Sequence, residues 1–196
     1  MPSDPKGRLI ALDGASGPAL AEIAGRLLRG QLRPRQEGGL SRFDASGIFF
    51  ELRKGEKNIP QPSPRTLLLL YAADLVFRLR WEIKPALEEG YVVVAAPYVE
   101  SAAAFGRAAG LPRRWLTDLF RFAPKPDASY RLKERREIGT WKFKRSEGYL
   151  EFCCKTLLRR CPIWQPADLR GKYLGYLESM EKRGGCETVS DKVLGK

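Results

Sequence analysis

The stretch LIALDGASGPALAEIAG (residues 9–25) has the pattern of a buried strand, a glycine turn and a helix. Residues 8–14 carry the apolar content of a buried parallel strand. Residues 18–32 place apolar side chains at three- and four-residue spacing after Pro18, which is typical of a helix start. A phosphate-binding loop lies at this kind of strand-to-helix junction. The stretch therefore predicts an α/β fold and raises the question of whether its turn still binds phosphate.

Strand patterns and helix patterns alternate along the rest of the chain. The other predicted elements are a loop-rich region over 33–64 with a short strand over 47–52 as one interpretation, a long helix over 66–89, a strand over 91–98, helices over 99–109 and 112–122, a strand over 128–132, a helix over 149–160, a short strand over 161–164 and a helix over 166–181. Such alternation predicts a parallel sheet covered by helices on both faces.

Length and composition predict a single folded domain over the 196 residues, with a polar leader at 1–7 and a flexible tail at about 183–196. The formal net charge of +12 favours an anionic partner, such as a nucleotide, a nucleic acid or an acidic surface. No apolar run reaches the length of a membrane span, and residues 1–7 lack a secretory signal core. These features predict a cytoplasmic protein without a membrane partner.

Histidine is absent, which excludes nucleophilic catalysis by a serine–histidine or cysteine–histidine pair. The four cysteines contain no C-x-x-C pair, and we predict reduced, mostly buried thiols and no metal site. They are Cys153, Cys154, Cys161 and Cys186.

Several separated segments, taken in order, resemble the thymidylate kinase family. After the opening strand, LLLLYAADLVFRLRWEIKPALEEGYVVV (67–94) resembles the thymidylate-binding helix and the strand that follows it. APYVESAAAFG (96–106) resembles the D-R-Y-x-x-S-x-x-A-Y stretch of that family, and KPDASYRL (125–132) resembles its K-P-D segment. The order and spacing match over roughly 8–182. The resemblance implies a three-layer P-loop kinase fold, thymidylate (dTMP) or another nucleotide as ligand, ATP and magnesium if the protein is active, and a homodimer.

The predicted phosphate loop departs from the family signature G-x-x-x-x-G-K-[ST]. Its candidate residues are Asp13, Gly14, Ser16 and Gly17. Leu20 stands where the family has the lysine that reaches the phosphates, and Ala21 stands where a hydroxyl holds magnesium. Pro18 also removes one backbone N–H from the loop. The strand, turn and helix therefore match the family, whereas the residues that bind ATP do not.

The segments that resemble the family's binding site for the phosphate acceptor also lack charged residues that the family has there. Ala96 and Pro97 replace the family's Asp–Arg pair, and Leu75 replaces the arginine of its helix. The residues that the resemblance assigns to an acceptor pocket are Asp44, Tyr71, Tyr98, Ser101 and Phe105. Tyr71 matches an aromatic residue that stacks on a pyrimidine. The alternative is that Tyr71 and Phe105 are core aromatics between sheet and helix.

A basic segment over about 133–148 lies where the family has its lid. Its candidate residues are Arg135, Arg136, Lys142, Lys144 and Arg145. Three interpretations stay open: a relic lid over a weak nucleotide site, a patch that contacts the phosphates of RNA or DNA, and a solvated loop.

Taken together, the residues predict a thymidylate kinase-like pseudoenzyme that binds a nucleotide or acts as a scaffold. The first alternative is a divergent active kinase that transfers phosphate from ATP to dTMP, with lid residues replacing the lost charges. The second alternative is a nucleic-acid-binding or assembly subunit that uses the basic surface.

Overall fold

The computed structural model of the chain describes residues 7–14, 17–54, 62–132, 179 and 187–189. Five parallel strands form one sheet in the order β2-β3-β1-β4-β5. The strands are β1 (Arg8–Asp13), β2 (Gly38–Arg42), β3 (Val92–Ala96), β4 (Ala128–Arg131) and β5 (Glu187–Thr188). The helices are α1 (Gly17–Gln31), α2 (Ile48–Lys54), α3 (Pro64–Arg78), α4 (Lys84–Glu88), α5 (Val99–Ala108) and α6 (Arg113–Leu119), with a π-helical turn (Leu79–Ile83) joining α3 to α4.

The central strand β1 divides the interior into two apolar cores. Leu9 and Ala11 face a core shared with helices α3, α5 and α6. Ile10 and Leu12 face the opposite core, which is shared with α1. Side chains alternate between the two faces of a strand, so a strand buried on both faces must be apolar throughout. The predicted α/β fold with helices on both faces of a parallel sheet is confirmed.

The long helix predicted over 66–89 is confirmed as the continuous series of α3, the π-helical turn and α4. Ser63 caps its start, because the Ser63 side chain accepts a hydrogen bond from the Thr66 backbone N–H. The predicted strands over 8–14, 91–98 and 128–132 and the helices over 18–32, 99–109 and 112–122 are likewise present, most of them slightly shorter.

The interpretation of 47–52 as a strand is wrong, because this segment begins helix α2. The Asp44 carboxylate accepts hydrogen bonds from the backbone N–H groups of Phe49 (2.8 Å) and Phe50 (2.7 Å), which stabilises the first helical turn. Strand β2 was missed within the predicted loop. Its Gly38 gives no strand signal, yet a Cβ there would lie 2.8 Å from the Val92 carbonyl oxygen, so only glycine fits.

The predicted elements over 149–160, 161–164 and 166–181 lie outside the described residues, as do most of the leader and the lid. Within the predicted tail, Glu187 and Thr188 pair with Tyr130 and Arg131 of β4 and extend the sheet by one short strand. No helix in the described ranges is long and apolar enough to cross a membrane.

Parallel strands end at one edge of the sheet, and this carboxyl edge is where open α/β sheets bind ligands. Strand β1 ends at Asp13, β2 at Arg42, β3 at Ala96 and β4 at Arg131. The loops that follow these strands therefore define the place to look for a functional site.

We expect Gly106→Ala to lower stability, although alanine is a better helix former than glycine. A Cβ at Gly106 would lie 2.4 Å from Leu116 Cδ2 and 2.8 Å from Leu68 Cδ1, so α5 would be pushed away from its neighbours. The expected loss is about 1–3 kcal/mol in urea unfolding. The matched control is Gly25→Ala on α1, where the nearest contact is 3.7 Å away at the Arg29 guanidinium. That change should raise stability by about 0.5–1 kcal/mol, and a loss of stability there would contradict the packing argument.

Candidate functional site

Asp13 joins the end of β1 to the start of α5. Its Oδ1 accepts hydrogen bonds from Tyr98 N–H (2.9 Å), Ser101 N–H (3.0 Å) and the Ser101 hydroxyl (2.7 Å). Gly14 N–H in turn donates to Ser101 Oγ at 3.2 Å. Burial raises the pKa of the Asp13 carboxyl, and this effect exceeds the lowering caused by the hydrogen bonds from Ser101 and Tyr98. The predicted loop residue Asp13 therefore holds the first turn of α5 in place.

A second carboxyl group lies close by, on Glu100 in the first turn of α5. Burial and the negative charge of Asp13 together raise the pKa of Glu100 from 4.5 to about 7. The two carboxyl groups thus repel each other when both are ionised. Asp13 directly precedes Gly14, so its carboxyl, when ionised, disfavours an anion at the strand-to-helix turn.

The turn itself is lined by apolar side chains. Leu20, at the position of the family's lysine, is 3% exposed and packs in the core beneath α1. A Cβ at Gly14 would lie 3.1 Å from Leu132 Cβ and 3.3 Å from Leu20 Cδ2, so this glycine is tightly enclosed. Gly17 is the first residue of α1, and Ser16 lies outside the described residues.

Four of the five predicted acceptor residues come together in the interior of the molecule. These buried residues are Tyr71, Tyr98, Ser101 and Phe105. The Tyr71 hydroxyl donates to the Tyr98 carbonyl oxygen at 2.6 Å and lies 3.2 Å from that of Pro97. Its ring is stacked on Phe43, with centroids 5.9 Å apart, and meets Phe120 edge-on at 6.1 Å. Burial raises the pKa of both the Tyr71 and the Tyr98 hydroxyl. These contacts are those of core aromatics.

Asp44, the fifth predicted acceptor residue, lies in the turn between β2 and α2. Its backbone has a φ of 63°, which is uncommon outside glycine but tolerated by aspartate. Besides capping α2, its N–H donates to Asp74 Oδ2 at 3.2 Å. Asp74 Oδ1 accepts from the N–H (2.9 Å) and the hydroxyl (2.8 Å) of Ser46. The buried Asp74 carboxylate therefore fixes this turn onto α3.

Sequence reasoning missed Arg78, whose side chain is fully buried at the same edge of the sheet. Its Nε and Nη2 donate to Ser41 Oγ (2.9 Å) and to the Ser41 carbonyl oxygen (2.8 Å). Its Nη1 donates to the Pro97 carbonyl oxygen at 3.0 Å. The Ser41 hydroxyl donates onward to Glu82 Oε2 at 2.7 Å. One guanidinium thus connects α3 to the carboxyl ends of β2 and β3.

A signal for this network was present in the sequence. Asp74, Arg78 and Glu82 recur every four residues within the apolar segment 67–83. Residues four apart lie on one face of a helix, so the three charges must share a face. The buried positions around them are Leu67, Leu68, Tyr71, Leu75, Leu79 and Ile83. An alternation of charged and apolar residues on the inner face predicts a buried polar network.

The described residues at this edge of the sheet offer few side chains that could bind magnesium or a phosphate group. Among the described residues, no three histidine, cysteine, aspartate or glutamate side chains are grouped in a way that could hold a metal ion. Asp13 is committed to the backbone of α5, and Ala21 and Ala96 carry no ligand atom, so this part of the chain does not fit the magnesium that the resemblance implies. The predicted lid residues Arg135, Arg136, Lys142, Lys144 and Arg145 lie outside the described residues.

Comparisons with known proteins find similarity to thymidylate kinases. The chain is 35% identical to a probable thymidylate kinase of Caldivirga maquilingensis over 81 residues, which is 41% of this chain and 39% of that protein. It is 34% identical to a probable thymidylate kinase of Pyrobaculum calidifontis over 122 residues, 60% of this chain and 59% of the relative. With the thymidylate kinase of Brachyspira hyodysenteriae it shares 25% identity over 148 residues, 74% of this chain and 72% of the relative.

The matches to the first of these relatives span only about two fifths of its length, and those to the second about three fifths. No protein-family model matches the chain. The similarity nevertheless recurs in thymidylate kinases from several organisms, and it accompanies the parallel sheet and the strand-to-helix turn described above. These comparisons confirm the predicted resemblance of this chain to the thymidylate kinase family.

Proposed function

We propose that this protein is a catalytically impaired member of the thymidylate kinase group, which acts by binding a partner or as a subunit rather than by phosphoryl transfer. The observation that carries the proposal is the burial of Leu20 in the core at the position of the phosphate-binding lysine. Phosphoryl transfer depends on positioned charge, because the protein contributes little covalent chemistry. An enclosed leucine supplies neither a charge nor a hydrogen-bond donor.

The acceptor side supports the same proposal. The Tyr71 side chain is fully buried, and its ring is stacked on Phe43, so neither face of the ring is open to a pyrimidine. The three donor nitrogens of Arg78 are occupied by Ser41 and Pro97. A monophosphate would have to displace these internal contacts, and each displaced buried polar group would cost about 1–3 kcal/mol.

The alternative is a divergent active kinase, and the relatives favour it, since all three described above are named as thymidylate kinases or probable thymidylate kinases. Lid residues would then have to reach the γ-phosphate in place of the missing lysine. A third case is a protein that binds a nucleotide without phosphorylating it. Binding measurements combined with an activity assay distinguish this case from an active kinase and from a protein that binds no nucleotide.

We expect the purified, nucleotide-free protein to phosphorylate dTMP at less than about one-thousandth of the rate of the Brachyspira hyodysenteriae enzyme, since the loss of a single charge clamp costs about 10²–10³-fold. A coupled ADP-release assay with ATP, magnesium and dTMP measures this, and titration calorimetry with ATP–magnesium and dTMP measures binding. We expect no ATP–magnesium binding tighter than about 1 mM. Activity within tenfold of the control enzyme would contradict the proposal.

Replacing the buried guanidinium by Arg78→Met should lower the free energy of unfolding by about 3 kcal/mol or more. The buried carbonyl oxygens of Ser41 and Pro97 and the Ser41 hydroxyl would lose the hydrogen bonds that the guanidinium donates to them. The control is Arg33→Met at an exposed site, with an expected change within about 0.5 kcal/mol in the same urea titration. Similar small effects for both variants would mean that Arg78 is available for a ligand rather than needed by the fold.

Glu100→Gln should stabilise the protein at pH 8 but not at pH 4.5. The pKa of Glu100 is about 7 in the folded state, against 4.5 for an unperturbed glutamate, so the folded wild type loses stability as the pH rises through this window. Glutamine does not ionise, so the variant keeps this stability, and we expect its free energy of unfolding at pH 8 to exceed that of the wild type by about 1–3 kcal/mol. The exposed Glu22→Gln serves as control, with no gain at either pH. An equal gain for Glu100→Gln at both pH values would indicate a packing effect instead of a charge effect.

A further inference from the structure

Helix α6 lies alongside the long helix that runs from Pro64 to Glu88, and the two helices run in the same direction. Near the start of both, the Arg65 guanidinium lies over the Trp115 ring, with its Cζ 5.5 Å from the ring centroid. Further along both helices, the Tyr71 and Phe120 rings meet edge-on with centroids 6.1 Å apart. The surface above these contacts is a continuous strip between the two helices, which we call the α3–α6 seam.

Beyond the end of α6 the seam opens into a groove of about 410 Å³. Phe122, which is 43% exposed, lines this groove together with the apolar side chain of Val76. The exposed cations Arg80 and Lys84 line it as well, and so does the carboxylate of Glu88. The volume is typical of a site for a nucleotide-sized group. The groove thus presents an exposed aromatic ring beside two positive charges.

Positive charge continues from the groove along the two helices. Six exposed cations lie on the long helix, on α6 and in the turn after it: Arg65, Arg80, Lys84, Arg113, Arg114 and Arg121. The exposed carboxylates of Glu88 and Asp118 lie on the same helices. Arg65 and Lys84 are 19 residues apart, so the cations extend over about 28 Å at about 1.5 Å per residue. In a chain of formal net charge +12, such a row of cations favours an extended polyanion over a single small anion.

We propose that the α3–α6 seam binds single-stranded nucleic acid, with one base stacked on Phe122 in the groove and the phosphates contacted by the six cations. Surfaces that bind single strands combine a positively charged track for the backbone with aromatic rings or guanidinium groups on which bases stack. A base would cover the exposed Phe122 ring while its phosphate meets Arg80 or Lys84, so one nucleotide uses both features of the groove. The Arg65 guanidinium over Trp115 offers a second stacking position at the other end of the seam. The seam contains none of the residues of the strand-to-helix turn, so this binding does not depend on whether phosphoryl transfer occurs.

The first test measures the fluorescence anisotropy of a labelled oligodeoxycytidylate of about 20 nucleotides on titration with the purified full chain. This probe carries neither the base of ATP nor that of thymidylate, and both nucleotides are left out, so the result is separate from the test of phosphoryl transfer. We expect a dissociation constant of about 1–100 µM at about 0.15 M salt. The slope of log affinity on log salt should be about −4, since six phosphate contacts on a single strand each contribute about −0.7.

An oligocytidylate of the same length shows whether the seam prefers RNA or DNA, because the two probes differ in the 2′-hydroxyl. Binding of either probe with the expected salt dependence supports the proposal. A wild type that binds neither probe at about 0.05 M salt would overturn it and leave the seam to a protein partner.

The second test locates the binding surface with two matched pairs of variants, each checked for folding by circular dichroism. Phe122→Ala should weaken binding at least about fivefold without changing the salt slope, because it removes a stacking face but no charge. The control is Phe50→Ala on α2, whose ring is likewise 43% exposed, and it should bind as the wild type does. Equal affinities for Phe122→Ala and the wild type would contradict the stacking on Phe122.

The second pair removes two charges from each of two surfaces. The double change Arg80→Gln with Lys84→Gln should flatten the salt slope by about 1.4, since two phosphate contacts are lost. The control is Arg29→Gln with Arg33→Gln, which removes two exposed cations at the end of α1 and just after it and should leave the slope unchanged. The same flattening in both double variants would mean that net charge alone attracts the strand, and it would overturn the assignment of the site to the seam.

Discussion

The structure at the carboxyl edge of the sheet depends on hydrogen bonds to two buried charged side chains. Asp13 and Arg78 are both excluded from water, and each finds its hydrogen-bond partners in the backbone of neighbouring elements. A buried ion without such partners costs several kcal/mol, so the positions of these partners are fixed as soon as the two side chains are buried. Asp13 thereby sets the start of α5, and Arg78 sets the distance between α3 and the ends of β2 and β3.

This constraint bears directly on the chemistry that the edge can perform. A site for phosphoryl transfer needs donors that are preorganised and still open to the phosphates. Here the guanidinium nitrogens already donate to Ser41 and Pro97, and Asp13 already accepts from α5. A ligand that recruited these groups would have to break contacts on which the local structure rests. The hydrogen bonds that stabilise the edge therefore occupy the Arg78 nitrogens and Asp13 Oδ1.

Much of the fold followed from sequence patterns with a clear physical basis. Strands β1 and β3 could be predicted because burial on both faces requires an unbroken apolar run. Strand β2 could not, since Gly38 was selected by the close approach of Val92 and carries no strand preference. Helix α2 was misread because its cap, Asp44, acts across a turn with a positive φ that residue type alone does not reveal.

The site was predictable only in outline. The resemblance assigned Tyr71 to an acceptor pocket, and the sequence left base stacking and core packing as alternatives. The contact with Phe43 favours core packing, and that contact joins residues far apart in the chain, which no local pattern encodes. Arg78 could have been found from its spacing with Asp74 and Glu82, although its partners on β2 and β3 could not, because the sequence alone did not predict β2.

The long helix differs from an ordinary surface helix, because charged residues lie among the apolar residues of its inner face and several apolar residues lie on its outer face. Its inner face carries Asp74, Arg78 and Glu82, whereas its outer face carries Leu69, Phe77 and Trp81. A surface helix normally buries its apolar stripe and exposes its charges. The inner charges are compensated by hydrogen bonds to the sheet edge and the β2–α2 turn, so the inward polarity is stable. The outer apolar residues make no such contacts, since only removal from water would stabilise them. The inner face therefore combines apolar packing with a compensated polar network, and the network fixes how the helix lies against the ends of β2 and β3.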